Sequence, residues 1–308
     1  ISLLRKNRIS PRLLLEENAR ISVERFADLQ VSTMLAMEDE ALGYADRRMP
    51  LGCWSMMCHA VIGSENLGQA LSRFCRFYQL FEFGVHPYLE EHEEHAVVRL
   101  EQVDSERETD PYLSELVLFN VHRFASWLVQ EHLPIQRVEL GYAPTANPGD
   151  YRHMFLGNPV EFDCDNTRMA LAKELLDKRV TQNEASLRHF LRHPVLIMLT
   201  GSYASDSWTA KVRDMVRHRL SDMPELKEVA GSLEVHPQTL RRRLSSEGTT
   251  FKEIKNQVRR DTALHFLGKQ GLSIEEIAYR AGFSESSAFI RAFKSWTGVT
   301  PYTYRKGL

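Results

Sequence analysis

An internal repeat in the last third of this 308-residue chain constrains its fold more than any other feature. Leu226-Lys-Glu-Val-Ala230 recurs as Ile274-Glu-Glu-Ile-Ala278, followed by short turns at residues 231–236 and 279–284. Each turn leads into a stretch rich in cationic and small polar residues, Pro237-Gln-Thr-Leu-Arg-Arg-Arg-Leu244 and Glu285-Ser-Ser-Ala-Phe-Ile-Arg-Ala-Phe293. A short helix, a tight turn and a second helix make a helix-turn-helix, whose second helix is narrow enough to enter the major groove of DNA. Repetition fixes the architecture first, because each copy is one supersecondary unit. Between the copies, residues 251–267 keep helical periodicity over roughly 25 Å at 1.5 Å per residue. That is a rigid spacer suited to two successive major grooves about 34 Å apart.

The charge distribution agrees with this reading. The chain as a whole carries −2, but residues 206–308 hold 18 Lys and Arg against 12 Asp and Glu, leaving 21 against 29 in residues 1–205. A basic C-terminal third is where phosphates are neutralised and counterions released. From residue 209 onward the pattern is helical almost throughout, with turns at Pro224, Gly248, Gly271 and Gly298.

The segments Ser273-Ile-Glu-Glu-Ile-Ala-Tyr-Arg-Ala-Gly282-Phe283, Phe289-Ile-Arg291-Ala-Phe293-Lys294 and Gly298-Val-Thr-Pro301-Tyr-Thr-Tyr304-Arg305 resemble the C-terminal signature of the AraC/XylS family of regulators. The likeness covers about a quarter of the chain and joins turn glycines to aromatic core positions. In the first copy, Arg242-Arg-Leu-Ser-Ser-Glu-Gly248 is one residue shorter than the family pattern, with Ser245 where lysine is frequent, which implies a slightly different docking there. The resemblance implies base-facing residues at Gln238, Arg241 and Arg242 in the first recognition helix and at Ser286, Ser287 and Arg291 in the second. Arg forks onto guanine O6 and N7, Gln onto adenine N6 and N7, and Ser donates or accepts at several edges. Arg243, Lys252, Lys255 and Lys294 are assigned to phosphates, which set register without reading sequence. A solvated basic face is the bland account of Arg241–Arg243, and their place in a repeated motif argues against it. Phe283, Phe289, Phe293 and Trp296 are spaced to lie between helices rather than to stack on bases.

Residues 1–200 read as an α+β domain that precedes an all-α domain at 206–308 with two helix-turn-helix units. Helical spacing runs over 23–42 and 67–81, with breaks at Gly43 and Gly63-Ser64. Two strands joined by a polar turn follow at 88–92 and 96–100, then a long helix over 112–132. Short strands at 137–142 and 160–163 flank a helix around 151–155, and the small, polar residues 200–207 form a linker. Leu42-Gly43-Tyr44-Ala-Asp46, residues 51–58, Leu67-Gly68-Gln-Ala-Leu71, Phe77-Tyr78 and residues 151–162 resemble the arabinose-binding-like sensory domain of one AraC subgroup. That resemblance implies a small-molecule effector of unassigned identity, a homodimer, and RNA polymerase as a protein partner beside double-stranded promoter DNA. An anionic effector would need a buried cation, for which Arg47, Arg48, Arg73 and Arg76 are the candidates, with Tyr78, Phe81 and Phe83 as wall.

At this length two domains are expected, and 43% hydrophobic with 26% charged residues is an ordinary globular composition. No apolar run approaches the roughly 18–20 residues that span a bilayer, so a cytoplasmic protein without membrane contact is expected. Because the chain begins at Ile1, the reading allows for a short native N-terminus ahead of it. Cys53, Cys58, Cys75 and Cys164 lack metal or scaffold spacing and are expected as reduced thiols. No phosphate-binding loop, nucleophile elbow or dinucleotide fingerprint is present, so no catalytic residue, cofactor or metal is assigned. His92 and His95 are expected to diverge at a strand turn, whereas His189 and His193 share a helix face but lack a third ligand. Two rivals stand beside the regulator: a DNA-targeted repair or modification enzyme using Cys53 or Cys58 near His59, and a structural protein binding DNA without sequence preference.

Overall fold

The computed structural model describes residues 1–15, 21–103, 110–144, 151, 154–155, 160–201, 208–220, 222–247, 249–268 and 271–306. By its contacts the chain divides into two compact units, residues 33–207 with 246–248, and residues 1–32 with 208–245 and 249–308. The first 32 residues thus group with the C-terminal helices, whereas the sequence reading places them in the N-terminal domain. They carry α1 (Ser2–Lys6), a 3-10 turn over Pro11–Leu15, and the start of α2 (Val23–Met37), inside which the division falls. The predicted linker lies almost wholly outside the described residues.

In the unit formed by residues 33–207, helix α2 stops where Glu38 turns left-handed at φ +53°. The chain beyond is organised by two carboxylates. Asp39, buried, accepts from the backbone N–H groups of Ala41, Gly43 and Met49 at 2.8–2.9 Å. Glu40 accepts from Gly52 and Trp54, both at 2.7 Å, and so caps the start of α3 (Cys53–Ile62). Helix α4 (Leu67–Tyr78) starts at Asn66, whose side chain accepts from Gln69 N–H. Strands β1 (Val85–Glu91) and β2 (His95–Gln102) form the expected hairpin. Its tight turn, closed by His92 N–H onto the His95 carbonyl at 2.8 Å, brings the two imidazoles to 4.9 Å between centroids, so they meet rather than diverge.

Helix α5 (Pro111–Val129) begins with proline in its first turn and the Asp110 side-chain cap, and ends at Gln130, φ +57°. After it come β3 (Ile135–Glu139), β4 (Val160–Glu161), β5 (Thr167–Ala172), α6 (Glu184–Phe190) and α7 (Pro194–Thr200). Tyr151 and Met154 are helical as expected, while 152–153 lie outside the described residues. The sheet order is β1-β2-β5-β3-β4, antiparallel except for the parallel β3–β4 pair. Strand β5, central in this sheet, is not predicted from the sequence. Its Met169, Ala170, Leu171 and Ala172 have no strand-like alternation, and pairing on both edges decides the outcome. Helices α4 and α5 lie against the sheet. The core between them stacks Phe124 on Trp127, with Phe190 at 4.5 Å from Trp127.

The other unit contains α8 (Trp208–His218), α9 (Leu226–Ser232), α10 (Pro237–Ser246), α11 (Phe251–Leu267), α12 (Ile274–Arg280), α13 (Ser286–Thr297) and α14 (Pro301–Lys306). It holds two separate cores, both fed by α11. Ile254 and Val258 join Val212, Val216, Val229, Leu240 and Leu244 in one. Ala263, Leu264 and Leu267 join Ile277, Phe289, Phe293 and Tyr304 in the other, which Ile9 and Leu13 complete. Arg25 fastens the N-terminal segment there, its Nη1 donating to Tyr304 Oη at 2.8 Å and its Nη2 to the Leu264 carbonyl at 3.2 Å.

Asp261, on α11, has its carboxyl pushed up to about 6, chiefly by burial and also by Glu24, against the opposing pull of Arg260 and Arg213. A folded-state value above the unfolded 3.8 means the ionised carboxylate weakens the fold: its contribution is favourable below about pH 4 and lost as pH rises through about 6. Asp261→Asn is therefore expected to gain about 1–2 kcal/mol near pH 7.5, since solvent reaching a third of the side chain screens part of the penalty. The gain should vanish near pH 4. Urea denaturation of both proteins at the two pH values checks this, and a pH-independent difference contradicts it.

Candidate nucleic-acid interface

Both helix-turn-helix units are built by the same local devices. Helix α12 opens with a reciprocal capping box of Ser273 with Glu276, Thr250 with Glu253 does the same for α11, and at the start of α9 the Glu228 carboxylate accepts from Glu225 N–H at 2.7 Å. Each first helix ends in a left-handed residue, Glu234 at φ +54° and Gly282 at φ +80°. The following N–H then closes the turn at 3.0 Å, Val235 onto the Ala230 carbonyl and Phe283 onto that of Ala278. The turns are thus equivalent although only one uses glycine.

Each second helix buries one face and exposes the other. On α10, Leu240 and Leu244 are fully buried, whereas Gln238, Arg241, Arg242 and Ser245 are exposed at i, i+3, i+4 and i+7. On α13, Phe289, Phe293 and Thr297 are buried, and Ser287, Ile290, Arg291 and Lys294 form the matching exposed row. Ser286 is half-buried at the start of α13. Arg241 Nη1 donates to Gln238 Oε1 at 3.2 Å, which holds the two side chains together, and Ser287 Oγ donates to Glu285 Oε2 at 3.3 Å. Ile290 belongs to this row and is missed by a search for polar readers; its i+3 spacing from Ser287 is the signal, and an apolar side chain there suits a thymine methyl.

The four residues assigned to phosphate differ in their surroundings. Lys252 and Lys294 are exposed. Arg243 lies over the Trp208 ring at 4.0 Å. Lys255 donates to the Pro224 carbonyl at 3.3 Å, and desolvation lowers its pKa. Arg259, not singled out from sequence, donates to the Gly282 carbonyl at 2.9 Å and covers the Phe283 ring at 4.7 Å, tying α11 to the second turn. Phe283 and Trp296 are half-buried beside the fully buried Phe289 and Phe293, as their spacing requires.

In the other unit the structure corrects several expectations. Arg47 pairs with Glu82 at 2.8 Å with 73% of its side chain exposed, Arg73 donates to Ser64 Oγ at 3.3 Å, and Arg48 and Arg76 are exposed, so none is a buried cation. Arg123, overlooked in the sequence, is the buried one. Tyr78 and Phe83 are core residues, and Phe81 stacks on Phe83 at 4.9 Å. His189 and His193 do not share a helix, because α6 stops at Phe190 and His193 precedes α7. Glu139, Glu161 and Cys164 bring their ligand atoms together, but Arg168 and Arg137 occupy the carboxylates, with Arg137 Nη2 at 2.6 Å from Glu161, so the cluster is an ion-pair network. Burial raises the thiols of Cys53 and Cys58 and takes Cys75 to about 12, whereas a nucleophilic cysteine needs the opposite shift.

Two helix-turn-helix units, each with a solvated cationic or polar face on its second helix, define a DNA-binding transcription regulator. The family profile described as the arabinose-binding domain of AraC transcription regulators, N-terminal, matches residues 1–180, and a helix-turn-helix domain profile matches residues 229–307. The chain belongs to the AraC family of transcription regulators. It is 28% identical over 300 residues to the ornithine utilization regulator of Pseudomonas aeruginosa, covering 97% of this chain and 88% of that one. It is 40% identical over 150 residues to an HTH-type transcriptional regulator of Mycobacterium tuberculosis, 48% of this chain and 43% of the relative. The crystal structure of the transcriptional regulator CdpR from Pseudomonas aeruginosa aligns over 94% of this chain and 100% of its own, with 23% identity and a TM-score of 0.33. Among the described residues no helix is long and apolar enough to cross a membrane.

Proposed function

We propose that this protein is an effector-controlled transcription activator that reads two adjacent major-groove segments, with residues 206–308 binding promoter DNA and residues 1–200 carrying the effector site and the homodimer contact. One observation carries this reading: the paired rows Gln238, Arg241, Arg242 and Ser287, Ile290, Arg291 stand exposed at the same helical spacing on equivalent helices. Ser286 completes the second reading set from the helix start. Arg243, Lys252, Lys255 and Lys294 contribute to the phosphate-binding surface, the first and third after leaving their internal contacts. RNA polymerase is the protein partner, and the chain works in the cytoplasm without cofactor or metal. The similarity to a regulator of ornithine utilization supports metabolite control. A small molecule governs DNA binding here only if it binds two states of the protein with different affinity.

Selection of binding sites from random duplex DNA by the 308-residue chain, at a stated salt concentration, tests this. The full chain is needed because Ile9, Leu13 and Arg25 belong to the second core. An enriched two-part motif is expected. Arg241→Ala and Arg242→Ala should each lose about 1–3 kcal/mol and relax discrimination at particular bases of one part. Weakening that is uniform across sequences would favour the structural-protein rival, and stoichiometric thiol loss on damaged DNA would favour the repair enzyme.

A further inference from the structure

Phe119 and Arg123 lie one turn apart on α5 and share a face. Arg123 is 6% exposed. Its guanidinium lies 5.2 Å from the centroid of the Phe119 ring, and Nη2 donates one long hydrogen bond, 3.4 Å, to the Met154 carbonyl. Nε is buried with no hydrogen-bond partner, and among the described residues no carboxylate forms an ion pair with Arg123. Gly201, the residue that closes α7, bounds the site: a Cβ there would stand 3.5 Å from Arg123 Nη1 and 2.9 Å from His132 Cε1. Burial and, after it, the charge of Arg123 hold His122 at about 3 and lower His132, the latter against the opposing pull of the Glu247 carboxylate. His122 is thus neutral near pH 7, and the Arg123 guanidinium is the permanent cation at this site among the described residues.

A guanidinium keeps its charge in proteins, and a buried charge without a counter-ion costs several kcal/mol. Folded chains pair or solvate such groups. The unpartnered Nε–H and the adjacent Nη2–H form a side-on fork whose spacing matches two oxygens of one planar anion. A monoanion cancels the single positive charge, whereas a phosphate dianion would carry a second buried charge with nothing to meet it. The Phe119 ring, over which the guanidinium lies, adds apolar surface next to the cation.

We propose that Arg123 holds the carboxylate of a small organic monocarboxylate with an apolar body, and that this is the contact through which the effector engages the N-terminal unit. The role as effector contact rests on the effector-controlled reading above; the anion site itself does not.

Thermal unfolding of the 308-residue chain tests the site with acetate, butanoate and benzoate, each at about 10 mM, against chloride, benzamide and inorganic phosphate at matched ionic strength. At least one carboxylate is expected to raise the wild-type Tm by about 5 °C, and the three controls by less than about 1 °C. Arg123→Met keeps the length of the side chain without its charge. It is expected to have a higher Tm than wild type without added anion and to show no carboxylate shift. Arg123→Lys keeps the charge without the fork and should retain less than half of the shift. A lower Tm for Arg123→Met, an undiminished shift in Arg123→Lys, or no carboxylate shift in the wild type overturns the proposal, as does stabilisation by phosphate equal to that by carboxylates. If an enriched DNA motif is found without any carboxylate shift, the anion site falls and DNA reading stands. If the shift is found but DNA affinity does not respond to the carboxylate, the site stands and effector control falls.

Discussion

Phe293→Ala is expected to cost about 3–5 kcal/mol of stability, the usual loss for removing a fully buried aromatic ring. The ring is 0% exposed on α13, 5.6 Å from Phe289 and edge-on to Tyr304 at 5.5 Å. Tyr304 is itself held by Arg25, so the cavity would open at the point where the N-terminal segment meets α13 and α14. The half-buried Trp296 of the same core gives a fluorescence signal for urea denaturation. Phe293→Leu, closer in volume, should lose less than half as much. Because Phe293 faces away from the exposed row, DNA affinity should fall only where the variant unfolds. A loss below about 1 kcal/mol contradicts the packing described for this core.

Gly282→Ala is the second large effect, expected at about 3–4 kcal/mol. The left-handed backbone at φ +80° costs an L residue about 1–2 kcal/mol. A Cβ would also stand 2.5 Å from the Leu220 carbonyl oxygen, a backbone atom that cannot swing aside as a side chain can. The turn must therefore shift, moving α13 relative to α12, so binding to the second part of the DNA motif should weaken even in the folded fraction. Gly231→Ala is the contrast. Gly231 lies inside α9 with nothing within 4 Å of an added Cβ, so that change should stabilise by about 0.5–1 kcal/mol. Equal effects at the two glycines, read from urea midpoints, would contradict this account.

Position by position, the DNA-reading half was largely legible. Helix α11 spans Phe251–Leu267 as its periodicity predicts, the repeated first helices begin at Leu226 and Ile274 where the repeat begins, and Phe289 and Phe293 of α13 are inside. These features depend on i, i+3 and i+4 spacing and on caps, which are local. Ile290 escaped because an apolar residue in a recognition helix is first assigned to the core, and only its exposure places it in the outer row. In the N-terminal unit, the β1–β2 hairpin and α5 were found from alternation and amphipathic spacing. The imidazole pair of His92 and His95 was misjudged because turn geometry, not residue spacing along a strand, sets where those rings point.

The sequence by itself determined the elements whose cause lies within a few residues: the two helix-turn-helix copies, the spacer helix, the hairpin, and the absence of any activated nucleophile motif. Tertiary structure alone decided what depends on partners far along the chain. Thr167–Ala172 became a central strand because β2 and β3 offered two free edges. Ile9, Leu13 and Arg25 joined a core built more than two hundred residues away. Among the described residues Arg123 was left buried with no acid paired to it, a property of what packs around it and not of its neighbours in sequence. Local patterns are set by backbone geometry that repeats every two or 3.6 residues, whereas pairing, burial and charge compensation are set by which surfaces meet, and no short window of sequence contains that information.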